Sequence, residues 1–217
     1  DANTGTAVGY YDTILRTTNG GTTWISQSTG ASNFLHDVSF TDANTGTAVG
    51  LSGKIIRTTN GGANWTSQTS GTTNFLCAVS FTDENTGTAV GLHATILRTT
   101  NGGTTWTTQS SGTIYDYDLI DVSFTDANTG TAVGASGTIL RTTDGGANWL
   151  SQTSGMTDWL SGVSFTDANT GTVVGMSGII LRTTNGGATW TSQISGTTTF
   201  LRDVSFTDGS EEHTSEL

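Results

Sequence analysis

An all-β fold, a β-propeller built from five four-stranded blades, follows from three observations. The phrase Thr-Thr-Asn/Asp-Gly-Gly-x-x-Trp occurs five times, ending at Trp24, Trp65, Trp106, Trp149 and Trp190, so a unit of about 41 residues is repeated. A period of roughly 40–50 residues belongs to propeller blades or helical-pair solenoids. Each unit divides into four short runs rich in Val, Ile, Phe, Thr and Trp, bounded by Gly, Asn, Asp or Ser, which is the pattern of strands joined by tight turns. Nowhere do apolar residues sustain the i, i+3, i+4, i+7 spacing of an amphipathic helix.

The copy ending at Trp106 shows the elements in order. Phe75–Phe81 is the first strand, Thr88–Gly91 the second, Thr95–Thr100 the third and Trp106–Ser110 the fourth. Four antiparallel strands per unit, repeated, fit radially arranged blades better than a sandwich. Blades pack face against face, so runs such as Thr95-Ile-Leu97 and Ile179-Ile-Leu181 can be apolar on both sides. The indole of each copy is expected to fill the space between adjoining blades. The turn before it is built by Asn19 and Gly21, Asn60 and Gly62, Asn101 and Gly103, Asp144 and Gly146, and Asn185 and Gly187. The Asx side chains accept backbone hydrogen bonds and the glycines supply positive φ. With no proline anywhere, the turns depend on these residues alone.

A second loop, Asp-Ala/Glu-Asn-Thr-Gly, starts at Asp1, Asp42, Asp83, Asp126 and Asp167. Its opening has a calcium-loop flavour, but an EF-hand has Gly at the sixth position and a bidentate Glu at the twelfth. Here Gly is fifth, and the twelfth position is acidic only at Asp12. The loop therefore reads as a turn, and neither a metal nor a cofactor is expected.

Thr-x-Asn/Asp-x-Gly-x-x-Trp resembles the Asp-box, or BNR repeat, of sialidases and many non-enzymatic propellers. The longer combination, Val-Ser-Phe-Thr-Asp followed by Val-Gly-x-x-Gly-x-Ile-Leu-Arg-Thr-Thr-Asn-Gly-Gly-x-x-Trp, is similar to the repeats of the photosystem II assembly and stability factor family. The resemblance covers residues 1 to about 208. It implies a propeller and, through relatives in non-photosynthetic bacteria, an extracellular or cell-surface setting. Family propellers usually have seven blades, so five copies leave two arrangements, a closed five-bladed ring or an arc of a larger one. The chain opens on a second strand and the repeats end with a first strand, Phe200–Phe206, so closure between the two is expected.

The repeats break off at Asp208, and residues 209–217 hold three of the four glutamates. This tail matches one translated frame of a common sequencing adapter and is expected to be non-native. Without Glu211, Glu212 and Glu216 the formal charge moves from −11 to −8. Seven basic residues against that balance make nucleic acid a poor partner. No stretch is long and apolar enough to span a bilayer. The lone Cys77, in Phe-Leu-Cys-Ala-Val, reads as a small core residue, and the chain as a monomer.

Arg16, Arg57, Arg98, Arg141 and Arg182 recur once per copy and supply most of the positive charge. Each guanidinium has a structural reading, bonded to a neighbouring carbonyl or carboxylate such as Asp37, Asp121 or Asp203. It also has a binding one, as a basic stripe for an anionic partner. The structural reading is preferred because the repetition follows the fold. Sialidase chemistry needs an arginine cluster, a Tyr nucleophile aided by Glu, and an acid, drawn from different blades. The body of the chain has only Glu84, and Tyr10, Tyr11, Tyr115 and Tyr117 stand beside no glutamate. His36 and His93 lack metal-ligand spacing. Variation between copies concentrates in the turn after Val-Gly and before the first strand, where recognition usually resides. There, a two-residue insertion brings Tyr115 and Tyr117 together with Asp116 and Asp118, and another copy carries Trp159. The expected function is a non-enzymatic scaffold or interaction module of a bacterial secreted or surface protein, binding protein or peptide, with carbohydrate as a further ligand class. The alternatives are a sialidase-type glycoside hydrolase and a photosystem assembly factor.

Overall fold

The computed structural model describes residues 3–28, 34–113 and 115–206. The expected foreign tail, 209–217, lies outside the described residues. Five antiparallel sheets follow one another along the chain, each a blade with strands in simple sequence order. Blade I has three strands, Gly5–Val8, Ile14–Thr17 and Ile25–Gln27. Blade II comprises Leu35–Phe40, Gly46–Gly50, Ile55–Thr58 and Thr66–Gln68, and blade III comprises Leu76–Phe81, Gly87–Gly91, Thr95–Thr99 and Thr107–Thr108. Blade IV is Leu119–Phe124, Gly130–Gly134, Ile139–Thr142 and Leu150–Gln152, and blade V is Leu160–Phe165, Gly171–Gly175, Ile180–Thr183 and Thr191–Ser192.

The core lies in the seams between blades. Val49 and Ile55 of blade II pack with Leu76, Val79, Ala89, Leu97 and Trp106 of blade III. The same positions recur between blades III and IV, where Val90 and Ile96 meet Leu119, Val122, Ala132, Leu140 and Trp149. Strand residues pointing to opposite faces thus serve two different seams, which is why these runs are apolar on both sides. The indoles of Trp65, Trp106, Trp149 and Trp190 stand at the seams as expected, whereas that of Trp24 is exposed. Trp106 and Trp149 are 8% and 3% exposed, and each meets the inner-strand Phe of its own blade edge-on, Phe81 and Phe124, at 5.9 Å. The ring of that Phe lies over the glycine opening the second strand, so that a Cβ at Gly130 would stand 2.5 Å from Phe124.

Three polar staples join consecutive blades. From blade II onward each Trp Nε1–H donates to the Gln at the end of the preceding blade, as in Trp106 to Gln68 Oε1 at 3.1 Å, while Gln68 Nε2 donates to the Gly102 carbonyl at 2.8 Å. Inner strands are tied by the Val-Ser-Phe phrase, with Phe81 N donating to Ser39 Oγ and Phe124 N to Ser80 Oγ at 3.1 and 3.2 Å. The arginines form the third staple, described below.

Segment 201–206 lies along the inner strand of blade V as a further inner strand would. Phe206 N donates to Ser164 Oγ at 3.0 Å and Leu201 N to the Gly175 carbonyl at 3.1 Å. Among the described residues this segment does not pair with Gly5–Val8, the first sheet holding only its own three strands. Gly5 is faced by Thr17 and Trp24, where Gly46, Gly87, Gly130 and Gly171 are each faced by a Phe ring. Lacking that ring, Trp24 is 47% exposed.

Candidate functional site

The Asp-box turn is fully occupied with its own construction. Asn101 Oδ1 accepts from Thr105 N at 3.0 Å and Thr99 Oγ1 accepts from Gly103 N at 2.8 Å. Gly102 and Gly103 have φ of 64° and 78°, a region that residues bearing a Cβ avoid. The Asp-x-Asn loops are Asx turns, with Asp42 Oδ1 accepting from Asn44 N at 2.6 Å and Thr45 N at 2.9 Å. Those donors hold the Asp42 carboxyl below the usual range. No cluster of three metal-ligating side chains occurs among the described residues.

Four of the five arginines are engaged across seams. Arg98 Nη1 donates to Thr88 Oγ1 at 2.7 Å, its Nη2 donates to the Ala127 carbonyl of the next blade, and its guanidinium stacks 5.0 Å over Phe124. Arg16, Arg57 and Arg141 repeat this with Thr6 and Ala43, Thr47 and Glu84, and Thr131 and Ala168. Arg182 is exposed, with one long contact to Thr172 at 3.4 Å among the described residues. The carboxylates considered as arginine partners go elsewhere. Asp37 accepts from Val38 N and from Val79 N of the next blade, both at 2.7 Å. Asp121 does the same with Val122 N and Val163 N. The expected Arg–Asp pairing is therefore replaced by strand-to-strand bonds, because these carboxylates stand on inner strands that face the centre.

That centre is the most varied surface of the molecule. A β-bulge interrupts the register of each inner strand, between Leu35 and Asp37, Leu76 and Ala78, Leu119 and Asp121, and Leu160 and Gly162. The bulged residues His36, Cys77, Ile120 and Ser161, with Arg202 from the last segment, converge on a cavity of about 300 Å³ that Asp37, Asp121 and Asp203 also line. Burial pushes the Asp121 carboxyl up to about 7, and nearby Asp37 and Asp203 push in the same direction. Asp37 is raised for the same first reason. His36 Nδ1–H donates to the Cys77 carbonyl at 2.6 Å. Burial drives the Cys77 thiol up to about 12, which leaves it a packing residue.

Around the mouth stands a collar. The residue immediately before each inner strand occupies an equivalent place, its carbonyl accepting from the turn that follows the second strand: Phe34 from Leu51, Phe75 from Leu92, Asp118 from Ala135 and Trp159 from Met176. Phe34 and Phe75 are 5.5 Å apart, Tyr10 meets Phe34 edge-on at 4.1 Å, and His36 meets Phe75 at 5.1 Å. Trp159 and Phe200 carry exposed rings at the positions that follow, and Arg202 lies 5.5 Å over Phe200. The sequence singled out Trp159, but not its counterparts Phe34, Phe75 and Phe200, nor the Gln staple three residues after each Trp. Both were readable by aligning the copies on the Leu of the first strand and on the Trp.

Tyr115 and Tyr117 are not among the residues lining the central cavity; they stand on the loop between blades III and IV, just before the collar residue Asp118. They stack on each other at 5.2 Å with 24° between planes. The loop is fastened to blade III, where Ala94 N donates to the Tyr117 carbonyl at 3.0 Å and His93 N to Asp118 Oδ1 at 2.9 Å.

Residues 113–200, covering blades IV and V, match the family model described as photosynthesis system II assembly factor YCF48. Among solved structures, YCF48 from Cyanidioschyzon merolae is similar at 17% identity and TM-score 0.58, over 88% of this chain and 81% of that one. The chain has a β-propeller fold, and its residues 113–200 are similar to the YCF48 repeats. An ancestral GH74 enzyme is similar at 17% identity and TM-score 0.72, covering 90% of this chain and 30% of its own. A GH74 enzyme from Niastella koreensis is similar at 20% identity and TM-score 0.66, covering 85% and 34%. This chain therefore spans about a third of the GH74 chains, and the likeness at such identities is one of fold. No curated protein matches the sequence.

Proposed function

We propose that the chain is a non-catalytic propeller scaffold that binds a protein or peptide segment at the mouth of its central cavity, as an interaction module of a secreted or cell-surface bacterial protein. The observation that carries this reading is the collar. Unlike residues from blades I, II, III and V and from the last segment, Tyr10, Phe34, Phe75, Trp159 and Phe200, present partly exposed aromatic rings, with Phe200 itself and His36, the ring neighbour of Phe34 and Phe75, lining the polar cavity. Aromatic anchors ringed by polar groups are the usual chemistry of protein recognition. The residues repeated in every copy, by contrast, are mostly engaged with one another in the seams, Trp24 and Arg182 excepted. The YCF48 match over 113–200 favours an assembly-factor role among scaffold functions.

The test is selection of a random peptide display library on the full chain, followed by affinity measurement on the enriched sequences. Binding should fall at least about ten-fold in Trp159→Ala and Phe75→Ala, the scale expected for one aromatic anchor. Peptides that bind both variants like the wild type would refute the collar as the site. Turnover of a fluorogenic sialoside above background would refute the non-catalytic reading.

A further inference from the structure

The insertion that lengthens one repeat builds a second recognition site. The turn Ala135–Gly137 and the loop leaving Leu150–Gln152 form a cleft of about 580 Å³ on blade IV, and the inserted tyrosines wall it. Its other lining side chains include Ser136, Thr138, Thr153 and Met156, and none of those lining it carries a charge. The equivalent groove of blade II is lined by Ser52, Lys54, Thr69 and Thr72, with no aromatic among its described residues and with a lysine where blade IV has Thr138. The two-residue insertion thus coincides with the change from a polar groove of about 620 Å³ to an aromatic-walled cleft of similar volume.

The wall is built to stay in place. Tyr115 is 57% exposed although stacked on Tyr117, so one broad ring face is held open to solvent without collapsing. Thr113 Oγ1 donates to the Tyr115 carbonyl at 2.7 Å, and the Ala94 bond holds Tyr117 from the other side. An exposed aromatic face opposite hydroxyls suits a ligand with one apolar C–H face and a rim of hydroxyl groups, which is a pyranose. Charged ligands find no counter-ion in the lining, and a peptide would gain no charged or deep apolar anchor there. We infer that the cleft beneath Tyr115 and Tyr117 binds uncharged saccharide chains. The sugar ring stacks on Tyr115 and its hydroxyls bond with Ser136, Thr153 and the tyrosine hydroxyls. This site is independent of the peptide reading of the central mouth.

The experiment is saturation-transfer NMR and calorimetry on the full chain with cellohexaose, maltohexaose, mannohexaose and laminarihexaose, with hexagalacturonate as the anionic comparator. At least one neutral hexaose should bind, and Tyr115→Ala should weaken it about ten-fold, as expected for the loss of one stacking ring. Thr153→Trp, which fills the cleft from the opposite wall and leaves the tyrosine loop untouched, should block binding even if the tyrosine variant misfolds. Trp159→Ala should leave saccharide binding intact, which separates this site from the mouth. The inference is overturned if no neutral hexaose binds the wild type, if Thr153→Trp binds as well as wild type, if hexagalacturonate binds most tightly, or if the peptides selected at the mouth occupy the cleft in place of any saccharide.

Discussion

Replacing Trp106 by Ala tests whether the seams hold this protein together. The indole is 8% exposed and packs among Val49, Ile55, Leu76, Val79, Ala89 and Leu97. Truncating a large aromatic in such a setting costs about 3–5 kcal/mol. The lost Nε1–H also strips Gln68 Oε1 of its donor, which adds about 1 kcal/mol. The expected loss is therefore about 4–6 kcal/mol, comparable with the whole stability of many domains of this size. Trp24 provides the control, because it occupies the same sequence position yet is 47% exposed with no Phe ring over Gly5. Trp24→Ala should cost only about 1–2 kcal/mol on the area it buries. Urea denaturation followed by far-UV circular dichroism measures both. Because stacked repeats are coupled mainly to their neighbours, amide exchange should show the Trp106→Ala loss centred on blades II and III. Equal midpoints for the two variants would refute the argument that burial between blades, and not the motif itself, sets the energetic weight of each Trp.

The other predictions concern the staples and the centre. Arg98→Lys removes a planar group that bonds Thr88 and Ala127 while stacking on Phe124, so it should cost about 1–3 kcal/mol by thermal melt. Arg182→Lys, exposed, should fall within about 0.5 kcal/mol of wild type. Gly130→Ala places a Cβ 2.5 Å from the Phe124 ring and should lower stability by about 1–3 kcal/mol through overpacking. Asp121 is raised to about 7 in the folded protein against an ordinary value of 3.8, so its contribution is fully present below about pH 4 and is lost as pH rises through 7. Across that window the stability of wild type relative to Asp121→Asn should fall by up to about 1.4 kcal/mol per pH unit, measured by urea denaturation from pH 4 to 8. A flat difference would remove the buried carboxylate from the account. Cys77, pushed up to about 12 and buried, should react with a thiol reagent at pH 8 only at the rate of unfolding.

The fold was legible because each unit repeats its local chemistry. The Asn101–Gly103 turn demands positive φ, the Trp demands a buried seam, and Val90 and Ile96 on one face with Ala89 and Leu97 on the other demand two neighbours. The roles of Asp37 and Asp121 were not legible. A carboxylate in an apolar strand looks like a partner for the nearest repeated cation, and only the ring geometry shows that the backbone N–H of the next inner strand is nearer. Closure was not legible either, since having a first strand at one end and a second at the other says nothing about whether their backbones meet. The mouth was half legible. Trp159 stood out as a singular aromatic, whereas Phe34 and Phe75 look like core residues until the strands proper are seen to begin one residue later, at Leu35 and Leu76.

Repetition and function are separated here by position along each strand. Moving outward from the centre, the inner strand carries the bulged residue, which differs in every blade: His36, Cys77, Ile120, Ser161. The third strand carries Arg, and the fourth ends in Gln, each the same in blades II to IV because each must reach the same carbonyl in the next blade. Residues that touch a neighbouring blade are constrained to be alike, because each seam presents the same groups at the same distance. Residues that face the central cavity, or the open edge of the Tyr115 loop, have no counterpart blade to satisfy. Chemical individuality in such an array of blades is therefore confined to its mouth and its loops, and any ligand must be read from those few unlike side chains, not from the motif that defines the repeat.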